Sequence, residues 1–248
     1  MTIPAIEIIG LDKCFGSGRK KNQALHNLSL TIAQGEVFGF LGPNGAGKST
    51  TIKLLLRFLK PDNGSLHVLG NTVGHDEFRH QIGYLSEVPV FYDHLTAIET
   101  LLLSARLSGM TRQVINQRIP MLLERMTLTE ATNRRVGGFS KGMKQRLGMA
   151  NALIHDPEVL IFDEPMSGLD PLGRYQIKSL IAELKQEGKT IFFSSHILSD
   201  IEALCDRIAV IHKGVLLYSG GLGDFLRGGG SLEERFVRVI EEADHACA

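Results

Sequence analysis

One stretch decides the fold of this chain: Gly42-Pro43-Asn44-Gly45-Ala46-Gly47-Lys48-Ser49-Thr50. It follows an apolar run, Val37 to Leu41, that is typical of a buried strand, and it leads into Thr51 to Leu56, which has the pattern of a helix. Strand, glycine-rich loop and helix in this order are the context in which G-x-x-x-x-G-K-[ST] binds phosphate. The alternative is an ordinary glycine-rich turn before a helix. We interpret the stretch as a cradle for a nucleoside triphosphate.

The chemistry of this loop explains its residue types. Glycines let the backbone turn its N–H groups towards an anion, and the following helix directs its N-terminal dipole at the same point. Lys48 would reach the β- and γ-phosphates, and the hydroxyl of Ser49 would bind Mg²⁺. We therefore expect the nucleotide to contact Gly42, Pro43, Asn44, Gly45, Ala46, Gly47, Lys48, Ser49 and Thr50.

The composition limits the classes of protein to consider. A chain of 248 residues can bury one sizeable core, or one core and a smaller subdomain. Its 27 basic and 27 acidic residues cancel, which argues against a nucleic-acid binder, although a local basic patch stays possible. The three cysteines lack metal spacing and suit a reducing compartment. With no signal peptide and no apolar run of ~18 residues, we expect a soluble, cytosolic chain that reaches a membrane only through a partner.

Strand patterns surround the glycine-rich loop on both sides. Alternating residues predict half-buried strands at Ile6 to Leu11 and Leu28 to Ile32, with a polar loop at 16–22 between them. After the first helix, a turn at Pro61 to Gly64 precedes strands at Ser65 to Gly70 and Ile82 to Leu85. Short runs rich in Val, Ile and Phe return later, as in parallel strands covered on both faces: Glu158 to Phe162, Thr190 to Ser194 and Arg207 to Ile211.

Helical periodicity replaces the strand pattern in the middle of the chain. It covers Ala97 to Leu107, Val114 to Arg125 and Met143 to Leu153. We predict an α/β fold of residues 1–227 with an inserted helical subdomain at 86–152. A C-terminal tail, 228–248, follows a flexible glycine joint and contains a weakly amphipathic helix or strand at Ser231 to Glu242.

Polar residues follow two of the predicted buried strands. Asp163 and Glu164 stand at the carboxyl end of a strand, where open α/β sheets place ligands. Asp163 would hold Mg²⁺ through its water shell, and Glu164 would polarise a water for in-line attack on the γ-phosphorus. The alternative is a pair of surface carboxylates that cap the next helix. His196 follows the next strand and is either a structural hydrogen-bonder or a γ-phosphate contact on the same sheet edge.

Two further features have alternative interpretations. Ser140 is a candidate N-cap for the helix that contains Gly142, which makes a second helix N-terminus able to bind an anion. One nucleotide does not need two such cradles, but a phosphate held between two copies of the protein would use both. Phe15 stands just before the polar loop, where its ring either stacks on an adenine or packs into the core.

Together these motifs resemble the ATP-binding subunit of an ABC transporter over nearly the whole chain. Phe15 falls where that family has its adenine-stacking aromatic residue. The other motifs appear in the family's order: Gly42 to Thr50 is similar to Walker A, Phe139 to Met143 to the signature, Val159 to Glu164 to Walker B with its catalytic glutamate, Ser167 to Asp170 to the D-loop, and His196 to the switch histidine.

The resemblance implies a P-loop NTPase (RecA-like) core with an N-terminal antiparallel β subdomain, binding ATP and Mg²⁺. It also implies a head-to-tail dimer, which we expect to form from two identical copies, in which Ser140, Gly142 and Asp170 of one copy contact ATP held by Walker A of the other. Hydrolysis by Glu164 and His196 would reopen the dimer and power a separate transmembrane permease. The chain would then lie on the cytoplasmic face of the cell membrane.

The sequence departs from the family pattern at two motifs. The signature reads Phe-Ser-Lys-Gly-Met from Phe139 to Met143 in place of Leu-Ser-Gly-Gly-Gln, which keeps Ser140 and Gly142. The family's Q-loop glutamine is replaced by Glu87, whose carboxylate can bind Mg²⁺ or the attacking water. We therefore expect Glu87 to act both in catalysis and as a metal ligand. Both replacements, and the ending Ser231 to Phe236, resemble single-domain ATPases of ABC-2-type exporters.

An apolar run at Val88 to Tyr92 follows Glu87 in a predicted loop. Such a patch is typical of an interaction surface, and the resemblance places a coupling helix of the permease there. The alternative is a loop packed onto the helical subdomain. Two rival functions remain: a soluble ABC ATPase that acts on DNA or ribosomes, and a P-loop switch or kinase, which would leave Ser140 and His196 without roles. With a neutral charge, we expect no nucleic-acid partner.

Overall fold

A computed structural model describes residues 3–16, 22–74, 76–227 and 229–246. Most of the predicted polar loop at 16–22, and Gly228 in the glycine joint, lie outside these ranges. The strands are β1 (Ile6–Phe15), β2 (Asn22–Ile32), β3 (Val37–Leu41), β4 (Asn63–Val68), β5 (Asn71–Thr72), β6 (Ile82–Leu85), β7 (Val159–Asp163), β8 (Thr190–Ser195), β9 (Arg207–His212) and β10 (Val215–Gly221). The helices are α1 (Lys48–Leu55), α2 (Ala97–Leu107), α3 (Arg112–Arg125), α4 (Lys141–Leu153), α5 (Pro171–Gln186), α6 (Leu198–Leu204), α7 (Leu222–Leu226) and α8 (Leu232–Ala246).

The strands form two sheets. A six-stranded sheet has the order β10-β9-β3-β8-β7-β6, in which β9, β3, β8, β7 and β6 run parallel and β10 pairs antiparallel at one edge. A four-stranded antiparallel sheet has the order β2-β1-β4-β5. This architecture confirms the predicted α/β class, with a mainly parallel core and an N-terminal antiparallel β subdomain.

The central strand β3 is buried along its whole length. Because neighbouring side chains of a strand point to opposite faces, Val37 and Leu41 pack with the helices, whereas Phe38 and Phe40 face the antiparallel sheet. Phe192 of β8 joins that second cluster, with its ring centroid 5.3 Å from that of Phe40. Fully burying each such side chain stabilises the fold by about 1.5–3 kcal/mol, which holds the loop after β3 on a rigid support.

The segment between β6 and β7 is helical in the structure. It contains α2, α3 and α4, each of which includes the residues predicted for it. A reciprocal pair of hydrogen bonds between Thr96 and Glu99 begins α2, since each side chain accepts from the backbone N–H of the other. Leu101, Ile119 and Leu147 pack in the same cluster as the β7 side chain Phe162. The domain boundaries at 86–152 and 228 remain our proposal.

Several boundaries differ from those predicted. The strand predicted to end at Gly70 ends at Val68, because Leu69 and Gly70 adopt φ of 48° and 79° in a left-handed turn before β5. The same strand begins at Asn63, inside the predicted turn. Strand β10 and helices α5, α6 and α7 were not predicted. The tail segment is a helix, α8, which contacts α6, α7, β9 and β10.

Candidate functional site

The parallel sheet brings the predicted site residues to one edge. In the register of the sheet, Leu41 of β3 is beside Ser195 of β8, and Ser194 is beside Asp163 of β7. The chain therefore leaves β3, β7 and β8 side by side at their carboxyl ends, where open α/β sheets bind ligands. The glycine-rich loop leaves β3, Glu164 follows β7, and His196 follows β8.

Close packing and backbone conformation account for two glycines of the loop. Gly47 has φ of 114°, and a Cβ on it would lie 2.8 Å from Leu25 Cδ2. A Cβ on Gly42 would collide with the backbone oxygen of Ile211. Gly47 is also the N-cap of α1, and no side chain caps that helix end or places an acid in its first turn. The loop therefore directs an unopposed positive helix end outward, as an anion site requires.

Lys48 lies folded over this loop. Its side chain is only 8% exposed, and its ammonium donates to the backbone oxygen of Gly42 at 2.6 Å and to that of Pro43 at 3.3 Å. Burial lowers the pKa of the Lys48 ammonium, and nearby carboxylates, chiefly that of Glu164, partly offset this shift. The Lys48 Nζ lies 4.0 Å from Glu164 Oε1. A cation thus stands between the loop and the carboxylate that follows β7.

Asp163 and Glu164 are buried, each with 8% exposure, so the alternative of two surface carboxylates is wrong. The next helix, α5, is capped instead by Asp170, whose carboxylate accepts from the backbone N–H of Gly173 at 2.8 Å. Glu164 adopts φ of 48°, a conformation that costs a non-glycine residue about 1–3 kcal/mol and is frequent at functional sites. The sheet holds this strained residue at the mouth of the loop.

His196 contacts Glu164 directly. The Nδ1 of His196 lies 2.8 Å from Glu164 Oε2, and the backbone N–H of His196 donates to the same oxygen at 3.3 Å. The two carboxylate oxygens of Glu164 therefore face different partners, His196 and Lys48. The imidazole itself is half exposed. His196 is thus anchored on the glutamate while its ring stays accessible from the cavity.

A cavity of about 510 Å³ lies in front of these groups. Loop residues 43–50 line one side, and Glu87, Glu164 and His196 line another. Phe15, 39% exposed, lies on the rim with its ring in the cavity wall, so the alternative that it packs into the core is wrong. The volume and the mixed aromatic and cationic lining suit a nucleotide, whose base is apolar and whose phosphates are anionic.

Glu87 follows β6 by two residues and reaches the same cavity. The hydroxyl of Ser167 donates to Glu87 Oε1 at 3.4 Å, which links the loop after β6 to the loop after β7. No sequence motif predicts this contact of Ser167. The same is true of Lys213, a residue of the cavity wall that pairs with Asp244 of α8 at 2.7 Å.

Four predicted nucleotide contacts lie outside the lining of the cavity: Gly42, Ser140, Gly142 and Asp170. Ser140 is the N-cap of α4, as predicted, and its hydroxyl accepts from the backbone N–H of Met143 at 3.2 Å. Gly142 has open space around it, since a Cβ there would be 3.9 Å from its nearest neighbour, Leu169. The single chain does not bring this second helix N-terminus to the first.

In the run from Val88 to Tyr92, one residue packs onto the helical subdomain and three others are exposed, so each of the two interpretations holds for part of it. Phe91 packs on the helical cluster, whereas Val88, Val90 and Tyr92 are 64%, 87% and 64% exposed. A second cavity, of about 390 Å³, opens between this loop and α2 and is lined by residues that include Leu95 and Leu103. An exposed apolar loop beside an open groove is the form expected of a docking surface.

The donors present fit ATP and its magnesium ion. The loop offers the Lys48 ammonium and the start of α1 to phosphate, while Ser49 and the buried carboxylate of Asp163 would offer oxygen ligands of the kind that Mg²⁺ prefers. Within the described residues no group of three or more His, Cys, Asp and Glu side chains is arranged to hold a metal by itself. Such a site would complete its coordination with phosphate and water.

Comparison with known proteins gives consistent matches. A family profile described as ABC transporter matches residues 25–167. An uncharacterized ABC transporter ATP-binding protein of Nostoc is 49% identical over 87% of this chain and 66% of its own length. The bacitracin transport ATP-binding protein of Bacillus licheniformis is 45% identical over 86% of this chain and 68% of its length. The chain thus spans about two thirds of the length of these relatives.

Two other matches extend the comparison. The Nod factor export ATP-binding protein I of a Rhizobium strain is 41% identical over 89% of this chain and 72% of its own length. A solved structure of an ATP binding subunit of an ABC transporter has a TM-score of 0.85 and 33% identity, and it covers 95% of this chain and 99% of its own. In the part of our chain that the structure describes, none of the helices is long and apolar enough to cross a bilayer.

Proposed function

Because this chain belongs to the ABC transporter family and is an ATPase of its ATP-binding type, we propose that it hydrolyses ATP between two copies of itself to drive export through a separate membrane-spanning permease. One observation carries this proposal. Glu164 projects into the cavity between Lys48 and His196, opposite a loop built to hold phosphate. That arrangement places a carboxylate base within reach of a bound γ-phosphate.

The residues divide the reaction as follows. Glu164 polarises a water for in-line attack on the γ-phosphorus, and His196 fixes the orientation of the glutamate carboxylate while its exposed ring contacts the γ-phosphate. Lys48 moves from its loop oxygens to the β- and γ-phosphates and stabilises the charge that develops on them. Ser49, Asp163 and Glu87 would hold Mg²⁺, which would neutralise phosphate charge when bound.

The proposed dimer follows from the residues that the single chain leaves unused. Ser140 and Gly142 form an accessible helix N-terminus with no acid in its first turn, apart from the cavity wall. In a head-to-tail pair, this end of α4 from one copy would close over the phosphates held by the other, and Asp170 would contact the facing loop. Phe15 would stack on the adenine at the opposite end of the cavity.

The proposed permease contact lies on the exposed loop after Glu87. Val88, Val90 and Tyr92 present apolar surface next to the groove along α2, which suits a short amphipathic helix of a membrane protein. The chain would then lie on the cytoplasmic face of the membrane, with no nucleic-acid partner. Export is the direction suggested by the relative that is named for Nod factor export.

A single substitution tests the role of Glu164. Glu164→Gln keeps the shape but removes the base, so the ATPase rate should fall by about 10²- to 10⁴-fold, the usual share of general base catalysis. Because this variant should bind ATP without hydrolysing it, we expect it to accumulate as a stable dimer in the presence of ATP. Size-exclusion chromatography with light scattering measures that dimer. Glu158→Gln is the matched control, because Glu158 is exposed and lies immediately before β7, at the opposite end from Glu164. Hydrolysis by Glu164→Gln at near the wild-type rate would contradict the assignment.

A second experiment tests the partner. Tagged Glu164→Gln protein should co-purify from gently solubilised membranes with a polytopic protein in stoichiometric amount. The association should be lost when Val88, Val90 and Tyr92 are replaced by serine, while ATP binding is kept. Recovery only in the soluble fraction, with ribosomes or DNA, would retain the ATPase and overturn its proposed role in transport.

A further inference from the structure

Ser194 connects Asp163, the last residue of β7, with Glu164, the residue that follows it. Its hydroxyl donates to Asp163 Oδ1 at 2.7 Å and accepts from the backbone N–H of Glu164 at 3.0 Å. Ser194 is fully buried, with 0% exposure, and its register partner on the neighbouring strand is Asp163. One hydroxyl thus contacts a side chain and a backbone group on two consecutive residues at the carboxyl end of the neighbouring strand β7.

The two hydrogen bonds of the Ser194 hydroxyl restrain different groups, a carboxylate and a backbone turn. A hydroxyl has one proton, so donation to Asp163 commits that proton and sets the rotation of the carboxylate about its last bond. The bond accepted from Glu164 satisfies a buried N–H at a residue held in a strained backbone conformation, with φ of 48°. Without the hydroxyl, both the Asp163 carboxylate and the backbone N–H of Glu164 would lose a buried hydrogen-bond partner.

We propose that Ser194 is a positioning residue for ATP hydrolysis, which orients Asp163 towards Mg²⁺ and holds the backbone turn that presents Glu164. This inference rests on the proposed function, since it assigns a new residue to that same site. Groups that orient a metal ligand from behind typically change metal affinity or activity by about 10- to 100-fold when removed. Ser194 acts through these two acids and does not line the cavity.

The neighbouring hydroxyl residues of β8 have different contacts. Ser195 turns its hydroxyl to the following loop, where it accepts from the backbone N–H of Ile197 at 3.0 Å. Thr190, at the far end of the strand and 2% exposed, accepts from the backbone N–H of Gly35 at 2.9 Å. Thr190→Val therefore removes one buried hydroxyl from the same strand without touching the acids, and it serves as the matched control for Ser194→Ala.

The test combines kinetics with nucleotide binding. Ser194→Ala should lower kcat by about 10- to 100-fold and raise the Mg²⁺ concentration for half-maximal activity about tenfold. In the Glu164→Gln background, calorimetry with ATP plus MgCl₂ and with ATP in EDTA gives a readout that needs no hydrolysis. Ser194→Ala should reduce the gain in ATP affinity that Mg²⁺ provides and leave the affinity in EDTA unchanged.

A conservative variant separates positioning from folding. Ser194→Thr keeps the hydroxyl and adds a methyl group, so its Mg²⁺ dependence should stay near that of wild type even where its melting temperature falls. Wild-type kcat and Mg²⁺ dependence in Ser194→Ala, or the same loss in Thr190→Val, would overturn the role of Ser194. An inactive wild-type protein would instead refute the proposed ATPase reaction, so the two failures are distinguishable.

Discussion

A buried ion cluster joins the helix after the D-loop to the helix after His196. Asp200 of α6 is fully buried, and its Oδ1 contacts Arg174 at 2.7 Å and Lys178 at 2.8 Å, both on α5. The second carboxylate oxygen of Asp200 has no hydrogen-bond partner among the described residues. Arg174 or Lys178 alone can still compensate part of the negative charge of Asp200. If both were removed, the Asp200 carboxylate would be a buried charge without a partner.

The expected losses follow from this geometry. Removing one cation leaves the other in place, so Arg174→Ala and Lys178→Ala should each lower the free energy of unfolding by about 1 kcal/mol. Removing both isolates a buried charge, which typically costs about 3–5 kcal/mol. The double variant should therefore lose about 1–3 kcal/mol more than the two single variants together. At about 2–4 °C per kcal/mol for a domain of this size, its melting temperature should fall by roughly 6–20 °C.

Urea unfolding of the wild type, both single variants and the double variant measures this coupling. Lys185→Ala is the control on the same helix: Lys185 pairs with Asp206 at 2.6 Å, but both side chains are 40% exposed. An ion pair so exposed contributes about 0–1 kcal/mol. Strictly additive losses from Arg174→Ala and Lys178→Ala, or an equal loss from Lys185→Ala, would refute the argument that burial makes this cluster cooperative.

Three further predictions concern single side chains. Lys48→Ala should abolish ATP binding, and a micromolar Kd in equilibrium dialysis would contradict the phosphate cradle. Burial raises the pKa of the Cys205 thiol well above its usual range, so iodoacetamide should label Cys205 far more slowly than Cys14 in peptide-resolved mass spectrometry. Hydrogen bonds from Lys213 and His212 lower the pKa of the Asp244 carboxyl. The stabilisation that Asp244 gives to the docked helix α8 is therefore complete above its ordinary pKa of 3.8, and it is lost as the pH falls through the lowered pKa. Asp244→Asn should speed amide exchange in α8 at neutral pH, with no difference from wild type below the lowered pKa.

Much of this protein was predictable from local sequence. The order of strand, glycine loop and helix predicts an anion site because backbone N–H groups and glycine conformations are set by residues close in the chain. Buried parallel strands are recognisable from short Val-, Ile- and Phe-rich runs, as at Val159–Asp163. The N-cap role of Ser140 was predictable for the same reason, since its bond spans only three residues.

Contacts between strands were not predictable in this way. Strand β10 was not predicted because its residues do not alternate clearly and it ends in two glycines, so only its antiparallel pairing with β9 defines it. Helix α5 was not predicted either, although its buried residues Ile177, Leu180, Ile181 and Leu184 recur at helical spacing. The place of Phe15 on the cavity wall depends on where β1 ends relative to the loop. The bridge made by Ser194 depends on the register between β7 and β8, in which residues 31 positions apart stand side by side.

Local patterns in the chain are enough to predict which chemical groups are available: a phosphate loop, two acids and a histidine at the ends of buried strands, and a second helix N-terminus. Tertiary structure alone decided which of these groups meet. It placed the Glu164 carboxylate within 4.0 Å of both the Lys48 ammonium and the His196 ring at one cavity. Ser140 and Gly142 lie outside that cavity. The physical reason is that strand order and register are fixed by non-local pairing and core packing, which local patterns do not encode.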